Sequence, residues 1–251
     1  MKDFGDPEEG MALNSRSLHN VINRYLAWNL AVFGVHLKGK RILDLGCGPG
    51  SYYDAIKRHS PERYFATDYS VAFLHDMKAK ASGDSTCRFA KIDLLDPGSL
   101  AQLNGEKFDY IICFDVLEHI EDDRAALVNI ADVVRSTGGG SLLLRIPAMQ
   151  AVYGENDRSI GHYRRYSKKG LGRLLEDCGF EVEVMRYQNI LGLLPWWIIG
   201  SVLKRGLAVS SSEGKLFDAM VPFFAALEKI IPPPIGLSLY ARCRVRLSRD
   251  R

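Results

Sequence analysis

A chain of 251 residues is long enough for one large domain or two small ones, with a sizeable core in either case. Its 47% hydrophobic and 25% charged residues are those of an ordinary globular protein, and a net charge of +3 is too small to imply a nucleic-acid partner by itself. Five cysteines (Cys47, Cys87, Cys113, Cys178 and Cys243) form no C-x-x-C pair and lie mostly in apolar runs. That pattern predicts packed thiols in a reducing, cytoplasmic compartment, with neither disulfides nor zinc.

The first 15 residues are acidic and polar, without the basic-then-apolar order of a secretory signal. No uninterrupted apolar run reaches the roughly 18 residues of a membrane span. Helical spacing of Leu18, Val21, Ile22, Tyr25 and Leu26 predicts a first helix, with Asn14 or Ser15 as cap and Gly34 at its end. A short apolar strand, "RILDLG" (41–46), then stops in glycines. Residues 51–60 read as a helix, 63–68 as a strand, 71–81 as a helix and 87–93 as a third strand.

The fourth strand (108–115) is strongly apolar, a helix follows from 122, and the fifth strand is "SLLLRIP" (141–147). Ser167 is placed to cap a further helix, followed by the strand 181–187. From 189 to 238 the alternation gives way to apolar, Pro- and Gly-punctuated sequence. A last strand then emerges at 238–248, where Arg242, Arg244 and Arg246 alternate with Cys243, Val245 and Leu247. Near-continuous hydrophobic strands alternating with helices predict an α/β fold: a Rossmann-like, doubly wound, mostly parallel seven-stranded sheet with an apolar helical insert before the last strand. The expected organisation is one domain over 1–251, with a helical cap (1–37), a cofactor-binding core (38–188), an insert or lid (189–238) and the final strand (239–251).

The stretch "ILDLGCGPGSYYDA" (42–55) turns from a buried strand through Gly46, Gly48 and Gly50 into a helix. Glycine there supplies unusual dihedrals and lets a ligand approach the backbone. Asp68 ends the next strand about 20 residues on, where a carboxylate accepts ribose hydroxyls. A nucleoside-bearing cofactor follows. The spacing is G-x-G-x-G rather than G-x-G-x-x-G, and Asp44 just before it would repel a pyrophosphate while suiting a cationic amino acid.

On these residues the sequence resembles the class I S-adenosylmethionine-dependent methyltransferases, over about 38–188 plus the final strand. "LDLGCGPG" is similar to that family's first motif, which implicates Cys47 with the three glycines. "ATDYS" resembles its second, with Asp68 on the ribose and Tyr69 and Ser70 beside it; "KIDLLD" resembles its third, with Asp93 near the adenine amino group and Leu94 at the ring edge. "FDVLEHI" (114–120) resembles the segment that floors the methionine, bringing in Phe114 and Asp115. The same resemblance sets Tyr25 to close over the cofactor. It implies S-adenosylmethionine as cofactor and methyl transfer as the activity, with metal optional; no metal-ligand spacing is present in the sequence.

Methyl transfer needs alignment of the nucleophile and, for oxygen, removal of a proton. Position 114–119 lacks the proline and amide of enzymes that methylate base amines, so small-molecule or lipid-linked acceptors are favoured over nucleic acid. The loop "RSIGHYRRYSK" (158–168) follows strand five at the cofactor end of the sheet. His162 is the first candidate base and His119 the second. Arg164 and Arg165 are candidates to clamp a phosphate or carboxylate, and Tyr163 and Tyr166 to stack on a ring or assist. The alternative is that these side chains tie the loop to Asp157 and Glu155, with Asp157 at the substrate pocket.

The segment "ILGLLPWWIIGSVL" suits a buried or interfacial helix better than a span. Trp196 and Trp197, followed by Lys204 and Arg205, read either as a lid on the acceptor or as a segment lying at the inner membrane face, within a peripheral contact over 189–231. The expected activity is O-methylation of a small or lipid-linked acceptor. Carbon or nitrogen methylation, a nicotinamide-dependent oxidoreductase and a non-catalytic binder are the alternatives.

Overall fold

The computed structural model describes residues 22–198 and 211–246. Seven strands form one sheet: β1 (Arg41–Leu45), β2 (Arg63–Asp68), β3 (Cys87–Lys91), β4 (Tyr110–Phe114), β5 (Ser141–Pro147), β6 (Phe180–Gln188) and β7 (Ser238–Val245). Their spatial order is β3-β2-β1-β4-β5-β7-β6. The first five strands pair in parallel, and β7 is inserted antiparallel between β5 and β6. The chain order reverses between β1 and β4, and in such sheets ligands enter the crevice beyond the carboxyl ends at that point.

Helices cover both faces because the central strands are apolar on both. The helices are α1 (Asn23–Ala31), α2 (Tyr53–Lys57), α3 (Val71–Lys80), α4 (Pro97–Leu100), α5 (Asp123–Ser136), α6 (Glu155–Ser159), α7 (Lys168–Asp177), α8 (Ile190–Trp197) and α9 (Ser211–Ile230). On one face Leu127, Ile130 and Val134 of α5 and Leu171 and Leu175 of α7 are fully buried against β4, β5 and β7. Each such side chain contributes about 1.5–3 kcal/mol of transfer free energy. The other face is filled by Leu26 and Leu30 of α1, Ile56 of α2 and Met77 of α3. Asp122 caps α5 by accepting from Ala125 N (2.9 Å), and Ser167 Oγ caps α7 by accepting from Gly170 N (3.0 Å).

Several boundaries differ from the sequence reading. The first helix is described from Asn23, and Asn14, Ser15, Leu18 and Val21 lie outside the described residues. The helix expected over 51–60 is limited to Tyr53–Lys57, because Gly50 and its neighbours are spent on the turn. Helix α6, inside the loop after β5, was not anticipated. In the 189–238 insert, α9 packs on α1: Asp218 Oδ1 accepts from Tyr25 N (2.9 Å), and the Phe217 and Tyr25 rings meet edge-on at 5.4 Å. The five cysteines are free and buried.

Candidate active site

The turn after β1 is fixed from below. Gly46 N and Cys47 N both donate to Thr67 O of β2 (2.9 and 2.8 Å). Gly46 has φ +76°, and a Cβ there would collide with Val116 Cγ2; Gly48 has φ +55°, yet a Cβ there would meet no atom within 4 Å. One glycine is required by the protein's own packing, whereas the other borders open space. Gly48 N donates to Asp68 Oδ2 and Ser70 N to Asp68 Oδ1 (both 2.8 Å), which aims that carboxylate at the turn. Open backbone at Gly48 beside an oriented carboxylate fits a ribose.

Asp44 lies deeper, 4% exposed, and its carboxylate accepts from the Tyr64 hydroxyl. Burial pushes its pKa up to about 7, against the lowering effect of Tyr64 and with added repulsion from Asp68. Burial also raises the Cys47 thiol, which makes it a poor nucleophile. Ser70 caps α3 and is buried, whereas Tyr69 is 60% exposed with the Lys91 ammonium 5.3 Å from its ring centre. Asp93 Oδ1 accepts from Leu95 N (2.8 Å). The Leu94 side chain, expected at the adenine edge, is packed in the core; the exposed apolar neighbour is Leu95.

Phe114 is buried, stacked on Phe33 and edge-on to Tyr52. Asp115 follows with φ +55° and pairs with Arg145 of β5. Arg145 also donates to the hydroxyls of Tyr240 (2.8 Å), Tyr25 (2.9 Å) and Ser238 (3.1 Å). Asn189 Nδ2 reaches the same Tyr25 hydroxyl at 3.5 Å. Tyr25 is thus locked into a buried polar network. The sequence reading missed Arg145, although a lone arginine within "SLLLRIP" was the available signal.

The loop after β5 is stitched to the turn after β4: Tyr163 N donates to Glu118 O (2.8 Å), and the Tyr166 hydroxyl donates to Leu117 O (3.3 Å). His162 Nδ1 lies 2.9 Å from Asp157 Oδ1, which also accepts from Arg165 Nε at 2.7 Å. The Arg165 guanidinium stacks 4.8 Å from the Trp196 ring centre, and Trp196 Nε1 donates to Asp157 Oδ2 (3.5 Å), so α8 roofs this group. His162 and His119 rings meet edge-on at 4.7 Å, and His162 Nε2 is 3.8 Å from Glu118 Oε1. Burial depresses both imidazoles, His119 to about 4 and His162 below its ordinary value in spite of Asp157.

Of the four residues offered for clamping or stacking, three are tied internally. Arg164 pairs with Asp123 (2.9 Å), Tyr166 donates to the same carboxylate (2.7 Å), and Arg165 is held by Asp157. Glu155 pairs with Arg158 instead. Tyr163 remains 53% exposed, with the Arg164 guanidinium 5.7 Å from its ring centre. Glu118, which precedes His119 in "FDVLEHI", was given no role from sequence. It is fully buried, neither carboxyl oxygen has a hydrogen-bond partner among the described residues, and burial raises its pKa to about 8.

Residues 17–184 match a family model described as a methyltransferase domain. A ubiquinone biosynthesis O-methyltransferase of Paracidovorax citrulli is 26% identical over 61% of this chain and 67% of its own length. One from Hahella chejuensis is 31% identical over 39% of this chain, and the match spans 40% of that relative. Among solved structures, a chain of the complex between the Haloferax volcanii Trm112 methyltransferase activator and a methyltransferase superposes with a TM-score of 0.66 at 16% identity, covering 97% of both chains. Magnesium protoporphyrin IX methyltransferase from Synechocystis, solved with bound S-adenosylhomocysteine, gives a TM-score of 0.52 at 17% identity, covering 92% of this chain and 84% of that one. These likenesses establish the shared fold.

Proposed function

The chain belongs to the methyltransferase-domain family and is a class I enzyme whose methyl donor is S-adenosylmethionine, and on that footing we propose that it methylates an oxygen of a small-molecule or lipid-linked acceptor. The nicotinamide-dependent alternative falls with the family match. The donor supplies a methyl group on a positively charged sulfur, so the protein's part is to align the acceptor and take its proton. Asp68 and the turn at Gly48 would hold the ribose, and Asp44 would face the donor's cationic amino-acid end.

The observation that carries the oxygen assignment is the His162–Asp157 pair at 2.9 Å. A carboxylate on Nδ1 holds that nitrogen protonated, which leaves the Nε2 lone pair to accept a proton and stabilises the imidazolium that results. Burial keeps the ring neutral near pH 7, the form a base requires. Two curated relatives carry O-methyltransferase names, which supports the same nucleophile. The test is to incubate the protein with methyl-labelled S-adenosylmethionine and cell extract, then locate the label by mass spectrometry. A methyl ether or ester lost in His162→Ala supports the proposal, and label on carbon or nitrogen overturns it.

Glu118 favours a second reading of how the proton leaves. Glu118, His119 and His162 each offer one ligand atom, all within 4.8 Å of one another. Glu118 and His119 are adjacent, but His162 lies 43 residues further on, so no metal-ligand spacing showed in the sequence. One carboxylate and two imidazoles suit a divalent transition ion, and Asp157 on His162 Nδ1 would orient that ligand. A bound cation would acidify the acceptor hydroxyl in place of a base. Activity lost to a chelator and restored by one divalent ion favours this route, while full activity in chelator favours the base.

A further inference from the structure

Helix α9 has two faces of different character. Its inner face holds Val221 and Phe224, both buried, and both of its inward acids are used: Asp218 on Tyr25 N, and Glu228 on Asn189 N (3.1 Å) and Ile190 N (2.9 Å). Its outer face carries Leu216, Met220, Phe223, Leu227 and Ile230 at alternating spacings of four and three, which is one stripe along a helix. These residues are 41–79% exposed, and Ile231 and Ile235 continue the surface beyond the helix. Monomeric proteins rarely expose a contiguous apolar surface of this kind.

The charges on that side are mostly of one sign. Lys215 and Lys229 are exposed, while α9's only exposed acid is Glu213 in its first turn. In sequence, the connection from α8 to α9 (199–210) adds Lys204 and Arg205 and no acid. Helix α8 repeats the division. Trp196 faces Asp157 and Arg165, whereas Leu191, Leu194, Trp197 and Ile198 are 38–60% exposed. The two adjacent tryptophans, read from sequence together as either a lid or a membrane-face segment, therefore do different work. None of the described helices is long and apolar enough to cross a membrane.

We propose that the outer faces of α8 and α9 dock in the plane of an anionic lipid bilayer. An apolar stripe with flanking lysines binds such a surface by burying its side chains among the acyl chains and pairing its cations with lipid phosphates. Because α8 also roofs the His162 group, docking brings the acceptor pocket to the lipid surface, where an amphiphilic acceptor is concentrated. This last step rests on reading the His162 pocket as the acceptor site; the docking itself does not. Both helices lie outside the segment matched by the family model, so the surface belongs to this chain's own insert.

The test is co-sedimentation of the full chain with phosphatidylcholine vesicles, with and without phosphatidylglycerol, in the absence of donor and acceptor. Wild type should pellet with the anionic vesicles and be released by salt. Lys215→Ser and Lys229→Ser should each weaken binding about fivefold at low salt. Phe223→Ser with Ile230→Ser should abolish it, and exposed positions such as these leave folding and donor affinity unchanged. His162→Ala should still pellet, which separates this proposal from the catalytic one. A wild type that stays in the supernatant overturns the docking. A dimer by mass that dissociates in the Phe223/Ile230 variant would assign the face to a second copy instead.

Discussion

Arg145 and Asp115 form an ion pair where β5 and β4 end, and Asp115 sits there in a left-handed conformation at φ +55°. The other guanidinium contacts are the hydroxyls of Tyr25, Tyr240 and Ser238, so one side chain joins α1, β4, β5 and β7. Arg145→Met would remove the donor from the Tyr240 and Ser238 hydroxyls and from the Asp115 carboxylate, and would leave Tyr25 only the 3.5 Å contact from Asn189 Nδ2. Removing one partner of a buried pair costs about 3–5 kcal/mol, and the lower end is expected because the Asp115 side chain is 37% exposed. Urea unfolding should show a correspondingly lower midpoint. An unchanged midpoint would mean that the network contributes nothing to stability.

Asp157 touches both His162 and Arg165, so Asp157→Asn tests orientation without removing the base. The amide cannot stabilise the imidazolium, and turnover should fall by about 10²-fold or more while donor affinity holds. In the native protein the ascending limb of kcat/KM, as His162 loses its proton, should lie below the usual histidine value near 6.5, because burial depresses this ring. Activity should therefore be flat through neutrality on that side. A limb well above pH 7 would point to another group.

Asp44 gives a second pH dependence with its own sign. Its pKa is about 7 in the folded protein against a model-peptide value of 3.8, so its stabilising contribution is complete below 3.8 and lost as pH rises through 7. The donor-free protein should lose stability over that window, and Asp44→Asn should remove this part of the loss. Binding a cation reverses the preference and expels a proton below pH 7. Donor affinity should rise with pH by up to about tenfold per unit and flatten above 7. Calorimetry in buffers of different ionisation enthalpy would report the released proton, and no buffer dependence at pH 6 would dissociate Asp44 from the donor.

The cofactor half of the site was legible because each of its parts is local in sequence: glycines in one turn, an acid at a strand end, a strand-helix alternation around them. The sheet could be read for the same reason, down to the late seventh strand. The His162 loop was placed at the right edge, but the partners of its side chains were not. Whether Arg164 faces a ligand or Asp123 depends on two turns more than 40 residues apart in sequence. Glu118 was passed over because burial, rather than residue type, is what makes it unusual. The two faces of α9 have the same composition in sequence as a core helix, and only packing on α1 shows which face is left outside.

The two glycines of the turn should separate folding from binding. Gly46→Ala puts a Cβ into Val116 and forces φ +76° on a residue with a side chain. It should lower stability through both the collision and a left-handed penalty of about 1–2 kcal/mol. Gly48→Ala carries only the conformational penalty, since its Cβ would project into open space. If that space is where the donor's ribose approaches, Gly48→Ala should melt within a few degrees of wild type yet bind S-adenosylmethionine at least tenfold more weakly. Titration calorimetry beside thermal melts distinguishes the cases. Wild-type affinity in Gly48→Ala would move the ribose away from this turn, and with it the role given to Asp68, whose Oδ2 is oriented by Gly48 N.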